Sequence, residues 1–195
     1  MKIKNVIAIA ALAGAAFSLP AMAQMRMSSA YIGGGIGQSK FKDGCAGGTF
    51  PGVSCDDKDT AFRLFGGYQF NRNIAAELGY ADLGKAKASG LGITQEAKVT
   101  AWDLSAVGTF PVWQQLSVLG RLGAYYGKGK LSGPVSSDKN TTNVTFGLGA
   151  QYDLSRNLGL RAEWQRYSKV KFEAAGASGD TDVDTLGVSV LWRFQ

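Results

Sequence analysis

Hydrophobic and polar residues alternate with a period of two along most of the chain after residue 30. Around Leu64, the even positions from 62 to 70 are apolar or Gly, and most of the odd positions between them are polar or Gly. Similar alternation recurs in seven further segments, at 31–39, 74–81, 102–110, 116–124, 144–152, 158–165 and 185–194. Alternation of this kind is typical of β-strands with two chemically different faces. The sequence therefore predicts eight strands of about ten residues each.

The connections between these segments alternate strictly between two lengths. Short turns rich in turn-forming residues occur at 71–73, 111–115 and 155–157. The stretches 40–58, 84–96, 129–140 and 173–181 are longer, and they are polar or rich in Gly and Ser. Because successive connections of an up-and-down sheet lie at opposite ends, we expect every long loop at one end and every short turn at the other.

The chemistry of the two faces indicates which one is turned outward. The apolar face carries bulky Leu, Phe, Trp and Tyr residues, whereas the other face carries Gly and charged residues. A membrane barrel has an outward apolar band and a polar interior, and a soluble barrel has the reverse. We therefore expect an all-β, eight-stranded antiparallel up-and-down transmembrane β-barrel. Its lumen is expected to hold an ion-pair network of Arg63, Glu77, Asp103, Arg121, Arg161, Glu163 and Arg193.

Two soluble folds remain open at this point, because alternation alone does not say which face is outside. One is a ligand-binding barrel such as a lipocalin, and the other is a two-sheet sandwich. Aromatic residues near both strand ends favour the membrane barrel, since such rings are preferred at the height of a bilayer interface. The expected girdle consists of Tyr68, Phe70, Tyr80, Trp102, Phe110, Tyr152, Trp164, Trp192 and Phe194.

The N-terminal segment has the features of a secretory signal peptide. Two Lys residues precede an uncharged stretch at 6–19, and Ala21-Met22-Ala23 forms a small-residue cleavage pattern. We therefore expect residues 1–23 to be removed and residues 24–195 to form the barrel. This segment holds two Lys and no Asp or Glu, so its removal lowers the net charge from +6 to about +4. That charge is mild and the basic residues are scattered, so nucleic acid is not expected as a partner.

The cysteine and histidine content limits the kinds of catalytic and metal sites that the chain can form. Cys45 and Cys55 lie in a Gly-, Asp- and Ser-rich stretch, and a pair of this kind in an exported chain is expected to close a disulfide. The chain has no His, which removes the commonest general base and metal ligand. We expect no enzyme activity, no metal site and no cofactor, although a Ser/Lys or paired-carboxylate mechanism stays open.

Three segments carry a resemblance to a known family. Gly66-Gly67-Tyr68-Gln69-Phe70-Asn71 followed by Glu77-Leu78-Gly79-Tyr80 resembles the first hairpin of OmpA-like outer-membrane barrels. Segments 161–167 and 186–194 are similar to the seventh and closing strands of that family. The resemblance implies a Gram-negative outer-membrane protein whose C-terminal strand is read by the barrel-assembly machinery. Gln195 after Phe194 departs from the family's aromatic ending, and the family's peptidoglycan-binding domain is not expected here.

The resemblance leaves several functions to compare. We expect a monomeric structural or surface protein that displays four extracellular loops and whose narrow lumen is plugged by ion pairs. A small-solute, porin-like channel with a gated lumen is one alternative, and an adhesin or host-interaction protein is another. Outer-membrane lipid and lipopolysaccharide are expected partners, because basic residues lie near the long-loop ends. This basic rim consists of Lys85, Lys87, Lys98, Lys128, Lys130, Arg166, Lys169 and Lys171.

Overall fold

The computed structural model describes residues 29–42, 53–90, 93–132, 137–174 and 177–194. Within these ranges the chain forms the strands β1 (Ser29–Phe41), β2 (Val53–Asp56), β3 (Lys58–Gln69), β4 (Ile74–Gly90), β5 (Ile93–Pro111), β6 (Leu116–Ser132), β7 (Ser137–Asp153), β8 (Leu158–Ala174) and β9 (Ala177–Arg193). The described ranges contain no helix with the length and apolar character needed to cross a bilayer. Residues 1–23, the expected signal peptide, lie outside the described residues.

Eight of these strands close into an antiparallel barrel. Neighbouring strands pair in chain order from β3 to β9, and β1 completes the ring by pairing with both β3 and β9. Tyr31 lies opposite Arg193 at one end of the closing pair, and Phe41 lies opposite Val183 at the other. The short strand β2 pairs antiparallel with the upper end of β4, where Val53 lies opposite Gly90. The predicted eight-stranded up-and-down barrel is confirmed.

The strands are longer than the predicted ten residues, and this corrects the loop assignments. Most of 84–96, 129–140 and 173–181 continues as paired strand; Gly90 lies opposite Ile93, and Ala174 opposite Ala177. Backbone pairing there does not require an apolar face, so the strands extend beyond the point where the hydrophobic alternation fades. The barrel therefore has a long upper half built from hairpins and a lower end with three short turns.

The two faces of the wall are inverted relative to a soluble barrel. Leu64, Leu104 and Leu148 point outward and are 63–65% exposed, whereas Glu77 and Asp103 point inward and are at most 1% exposed. A soluble barrel or sandwich would bury these leucines against one another, and neither arrangement is observed. The outward face forms a continuous apolar belt. The charged residues that alternate with these apolar residues along the strands line the lumen.

Candidate functional site: the ion-pair network of the lumen

Glu77 on β4 is the centre of the lumen network. Its Oε1 accepts hydrogen bonds from Arg161 Nη1 at 2.5 Å and from the Tyr31 hydroxyl at 2.7 Å. Its Oε2 accepts from Arg121 Nη2 at 2.5 Å, and Arg63 Nη2 lies 3.9 Å away. These donors come from β1, β3, β6 and β8, so a single carboxylate joins opposite walls of the barrel. Because its side chain is fully buried, an unpaired charge at this position would be strongly destabilising.

Two further carboxylates balance the central arginines. Asp103 accepts from Arg63 Nη2 at 2.9 Å and from the Ser105 hydroxyl at 3.0 Å. Glu163 accepts from Arg121 through both Nε and Nη2. The central network thus contains three arginines and three carboxylates, all within one connected cluster. The positive and negative charges of this cluster therefore balance within the lumen, which offsets the cost of burying them.

Glycine creates the space for one of these pairs. A Cβ added at Gly79 would lie 2.6 Å from both Arg63 Nη2 and Asp103 Oδ2. Both atoms belong to charged side chains that already have fixed partners. A side chain at position 79 would therefore displace the pair, so the inward-facing glycine is part of the site.

Arg193 lies apart from this centre, near the short-turn end. Its Nη2 donates to Asp153 Oδ1 at 2.6 Å. Gln151 connects the two regions, because its Nε2 donates to Asp153 at 3.2 Å and its Oε1 accepts from Arg161 at 3.0 Å. The sequence prediction contained four arginines and three carboxylates. The structure adds a fourth carboxylate as the partner of Arg193, that of Asp153, which is the last residue of β7.

Several uncharged members of the network also escaped the sequence analysis. Arg63 Nη1 donates to Gln165 Oε1 and lies 3.2 Å from the Tyr167 hydroxyl. Gln165 in turn donates to Thr145 at 2.8 Å. Tyr31 could have been found from its odd position on β1, which places it on the lumen face opposite Ile32 and Ile36. Nothing in the sequence singles out Gln165 or Tyr167 as partners, because that pairing depends on the height of β8 relative to β3.

The lumen contains apolar layers as well as the predicted ion pairs, and the sequence analysis did not predict these layers. Above the ionic centre, towards the long connections, lies a buried apolar cluster of Phe41, Ala81, Leu83, Val99, Ala101, Tyr125, Tyr167, Val170 and Val183. A second apolar cluster flanks the network on the short-turn side and consists of Tyr31, Phe65, Ala75, Val107, Leu119 and Leu191. We call the first cluster the upper apolar layer. It stands between the ion pairs and the outer opening of the barrel.

Little free space remains among these side chains. A cavity of about 40 Å³ lies beside Arg63, Glu163 and Gln165. Another of about 20 Å³ lies beside Arg161 and Gln151. Volumes of this size hold only isolated water molecules. Within the described part of the chain, no group of three potential ligands is arranged to hold a metal ion.

The predicted girdle residues all lie on the outward face of the wall. Phe70, Phe110, Tyr152, Trp192 and Phe194 occupy the short-turn end and are 43–62% exposed. Tyr68 packs against Phe70 with ring centroids 5.3 Å apart. At the other end of the belt, Tyr80 packs against Trp102 at 5.1 Å, and Trp164 against Phe146 at 5.8 Å.

Several charges of the predicted basic rim are already paired. Lys98 lies 2.8 Å from Asp82, and Lys85 lies 3.0 Å from Glu96. Arg166 forms two hydrogen bonds to Asp184, at 2.6 and 2.8 Å, while its guanidinium lies 5.2 Å from the centre of the Trp164 ring. The rim is thus a band of mixed charge above the upper aromatic residues, with less net positive charge than the lysines alone suggest.

The predicted disulfide lies partly outside the described residues. Cys55 belongs to β2, but Cys45 falls in the segment 43–52 that the structure does not describe. The pairing of the two cysteines stays a prediction.

Comparisons with known proteins agree with this architecture. Residues 9–194 match the family model described as the outer membrane protein beta-barrel domain. Outer membrane protein A of Yersinia pseudotuberculosis serotype I (strain IP32953) is 32% identical over 200 residues, which cover 98% of this chain and 55% of that protein. Outer membrane protein A of Klebsiella aerogenes is 29% identical over 198 residues, with 98% and 55% covered. The chain thus spans about half the length of the curated relatives it matches.

The fold is also found among solved structures. The crystal structure of Neisserial surface protein A (NspA) matches with a TM-score of 0.61 at 13% identity, covering 85% of this chain and 97% of that one. At that identity the match shows a shared fold alone. Together with the family match, these findings place the protein in the Gram-negative outer membrane. The chain belongs to the outer membrane protein beta-barrel family and is an OmpA-like barrel.

Proposed function

We propose that this protein is a structural and surface component of the outer membrane, and that its plugged barrel displays four extracellular connections. In this role the barrel contributes a stable wall rather than a path for solutes. The long connections all leave the same end of the barrel, which is extracellular in barrels of this type, and the short turns lie on the periplasmic side.

The observation that carries the proposal is the complete burial of Glu77 between donors from opposite walls. Its carboxylate is held by Arg121 and Arg161, each at 2.5 Å. A solute would have to break both ion pairs and leave buried charges unpaired, which is costly in a low-dielectric interior. This favours a static plug over a channel that opens readily.

The upper apolar layer supports the same function independently. Tyr125 and Tyr167 pack edge-to-face inside the lumen, with ring centroids 5.3 Å apart, and both are 1% exposed. The Tyr125 hydroxyl donates to the Ser168 carbonyl at 2.7 Å, which anchors the ring to β8. Hydrated ions and polar solutes pass poorly through an apolar constriction. Loss of the ion pairs alone would therefore leave a second barrier in place.

Planar-bilayer recording tests the proposal. We expect the full chain to give no steady conductance at high protein load. We expect Glu77→Ala to remain closed or to show only brief openings, and Glu77→Ala combined with Tyr125→Ala to conduct measurably. Arg166→Gln, which removes an ion pair on the outer face, is the matched control and should stay silent. Steady conductance of the unaltered protein would contradict the plug and favour the small-solute channel.

The partners are a separate part of the proposal. Contact with lipopolysaccharide is supported by the band of basic side chains directly above the upper aromatic residues. Because Lys85, Lys98 and Arg166 already have carboxylate partners, Lys130 is the sharper test. Lys130→Gln should reduce the lipopolysaccharide that co-purifies with the barrel, and unchanged co-purification would show that this contact is unnecessary.

A further inference from the structure

The three short turns differ in chemistry, although they occupy the same end of the barrel. The β3–β4 turn contains Asn71-Arg72-Asn73, and the β7–β8 turn contains Ser155-Arg156-Asn157. The β5–β6 turn at 112–115 is Val-Trp-Gln-Gln and carries no charge. One turn of the three therefore lacks the charge expected of a water-exposed loop.

The way the turns are held together differs as well. In the β3–β4 turn, the Asn71 side chain accepts hydrogen bonds from the amides of Asn73 and Ile74, both at 2.8 Å. In the β7–β8 turn, the Ser155 hydroxyl accepts from the Leu158 amide at 3.0 Å. Local bonds of this kind are the usual device of turns in water.

All three turns have closing backbone hydrogen bonds, but the side-chain hydrogen bond described for the β5–β6 turn comes from a girdle residue on another strand. The amides of Val112 and Trp113 donate to the Leu116 carbonyl, both at 2.9 Å. The Tyr152 hydroxyl, on the outward face of β7, donates to Gln115 Oε1 at 2.6 Å. This bond ties the turn to the lipid-facing side of the wall.

The side chains of this turn extend the apolar belt downward. Trp113 is 77% exposed, a greater exposure than that of any other large hydrophobic side chain described, and Val112 is 55% exposed. They continue from Phe110 at the lower end of β5, which is 62% exposed. A space of about 330 Å³ lies between Trp113, Leu116 and Tyr152. An isolated apolar side chain on a surface needs no explanation, but this set is continuous with a face that lies in hydrocarbon.

We propose that the β5–β6 turn is a lipid anchor, in which Trp113 inserts among the headgroups and ester groups of the periplasmic phospholipid leaflet. Indole is favoured at that depth because it has an apolar body and one N–H donor. The outward belt lies in hydrocarbon, and the turn follows directly below its lower end. The headgroup region of the periplasmic leaflet is therefore the surface next to the turn. This inference depends on the outer-membrane location and not on the closed lumen.

Tryptophan fluorescence in lipid vesicles tests the anchor. The chain has four tryptophans, so Trp102→Phe, Trp164→Phe and Trp192→Phe together leave Trp113 as the reporter. The full chain is inserted into phosphatidylethanolamine and phosphatidylglycerol vesicles whose acyl chains carry bromine near the ester or near the chain end. We expect emission shifted to the blue, stronger quenching by shallow than by deep bromine, and weak quenching by acrylamide.

Water-like emission with full acrylamide quenching and no bromine quenching would overturn the proposal, because these vesicles contain no other protein that could cover the turn. If the triple variant does not insert, Trp113→Gln in the otherwise unchanged chain gives the same information as a difference spectrum. The lost component must be blue-shifted and sensitive to shallow bromine, and a water-like lost component would again overturn the proposal.

The neighbouring turn supplies a matched control. Arg72→Trp, made in a chain whose four tryptophans are replaced by Phe, places the reporter in a turn closed by its own polar side chains. We expect this reporter to be quenched by acrylamide more strongly than Trp113. Equal protection at both positions would mean that any tryptophan at this height enters the lipid, and it would overturn the assignment of a distinct anchor.

Discussion

The lumen and the outer face of this barrel are built from the same strands, yet they follow opposite rules. Along β5, Asp103 is 1% exposed and has fixed polar partners, while the next residue, Leu104, is 63% exposed and needs none. Inside, each charged group depends on its partners from other strands. Outside, the bilayer solvates each side chain separately. We therefore expect substitutions in the lumen to lower the free energy of unfolding strongly and to depend on one another. On the outer face, the effect of a substitution should depend mainly on its depth in the bilayer.

The largest effect is expected for the central acid. Glu77→Ala removes the acceptor shared by Arg121 and Arg161, so the free energy of unfolding should fall by about 3–5 kcal/mol. Urea unfolding in vesicles, followed by the gel shift of the unheated protein, measures the change. The matched control is Asp184→Ala, which removes the partner of Arg166 on the outer face and should cost less than about 1 kcal/mol. Equal costs would break the distinction between the two faces.

The next effect concerns charge placed on the outer belt. Leu104→Arg should lower the free energy of unfolding by about 2–4 kcal/mol, because it moves a cation into the middle of the hydrocarbon. Thr100→Arg, on the same face of β5 but above the upper aromatic residues, should cost about 0–1 kcal/mol. The same unfolding measurement applies to both. A harmless Leu104→Arg would show that this face is not in lipid.

A smaller effect is expected at the glycine beside the Arg63–Asp103 pair. Gly79→Ala should cost about 1–3 kcal/mol, because the added methyl group overlaps Arg63 and Asp103 and would force this ion pair to shift. Gly66→Ala points outward, where the nearest neighbour of an added Cβ is 3.9 Å away, and should be nearly neutral. If the two substitutions had equal effects, the lumen would be less tightly packed than the structure indicates.

The smallest effect is expected in the band of mixed charge. Lys98→Gln removes the ion pair with Asp82, in which both side chains remain partly exposed. It should cost about 0.2–1 kcal/mol at low salt, and less as ionic strength rises. Unfolding at two salt concentrations measures this dependence. A large, salt-independent cost would place Lys98 in a buried environment and would remove this contrast with the lumen.

The sequence predicts the fold and the sidedness well, because both depend on a local signal. Polar or small residues occupy most of the positions that alternate with Leu64, Leu104 and Leu148. The period of two therefore assigns these leucines to one face of the sheet without any knowledge of the neighbouring strands. The choice of the outward face then follows from the charges, since Glu77, Arg121 and Arg161 fit a narrow lumen where they can pair. These elements could be predicted before any contact was known.

Two bulges show why the upper half was harder to predict. Gly84, with φ of +74°, and Lys169, with φ of 53°, lie at register shifts on β4 and β8. Each shift reverses whether odd-numbered or even-numbered residues face the lumen. On β8, Tyr167 is buried at an odd position before the shift, whereas Val170 is buried at an even position after it. Asp59 and Asp182 accept the amides of Lys85 and Lys169 at these points, at 2.6 and 3.0 Å. Such side-chain bonds between strands leave no periodic signal, so the upper apolar layer did not emerge from the pattern.

The most direct test of the account is the environment of the outward leucines. Single cysteines at Leu64→Cys, Leu104→Cys, Leu148→Cys and Val188→Cys, in a chain with Cys45→Ser and Cys55→Ser, can each carry a nitroxide label in lipid vesicles. Spin relaxation then compares access by oxygen, which concentrates in hydrocarbon, with access by a water-soluble nickel complex. We predict high oxygen and low nickel access at all four positions. Low access to both reagents would mean that these side chains meet in a dry protein interior, and it would contradict the inverted barrel.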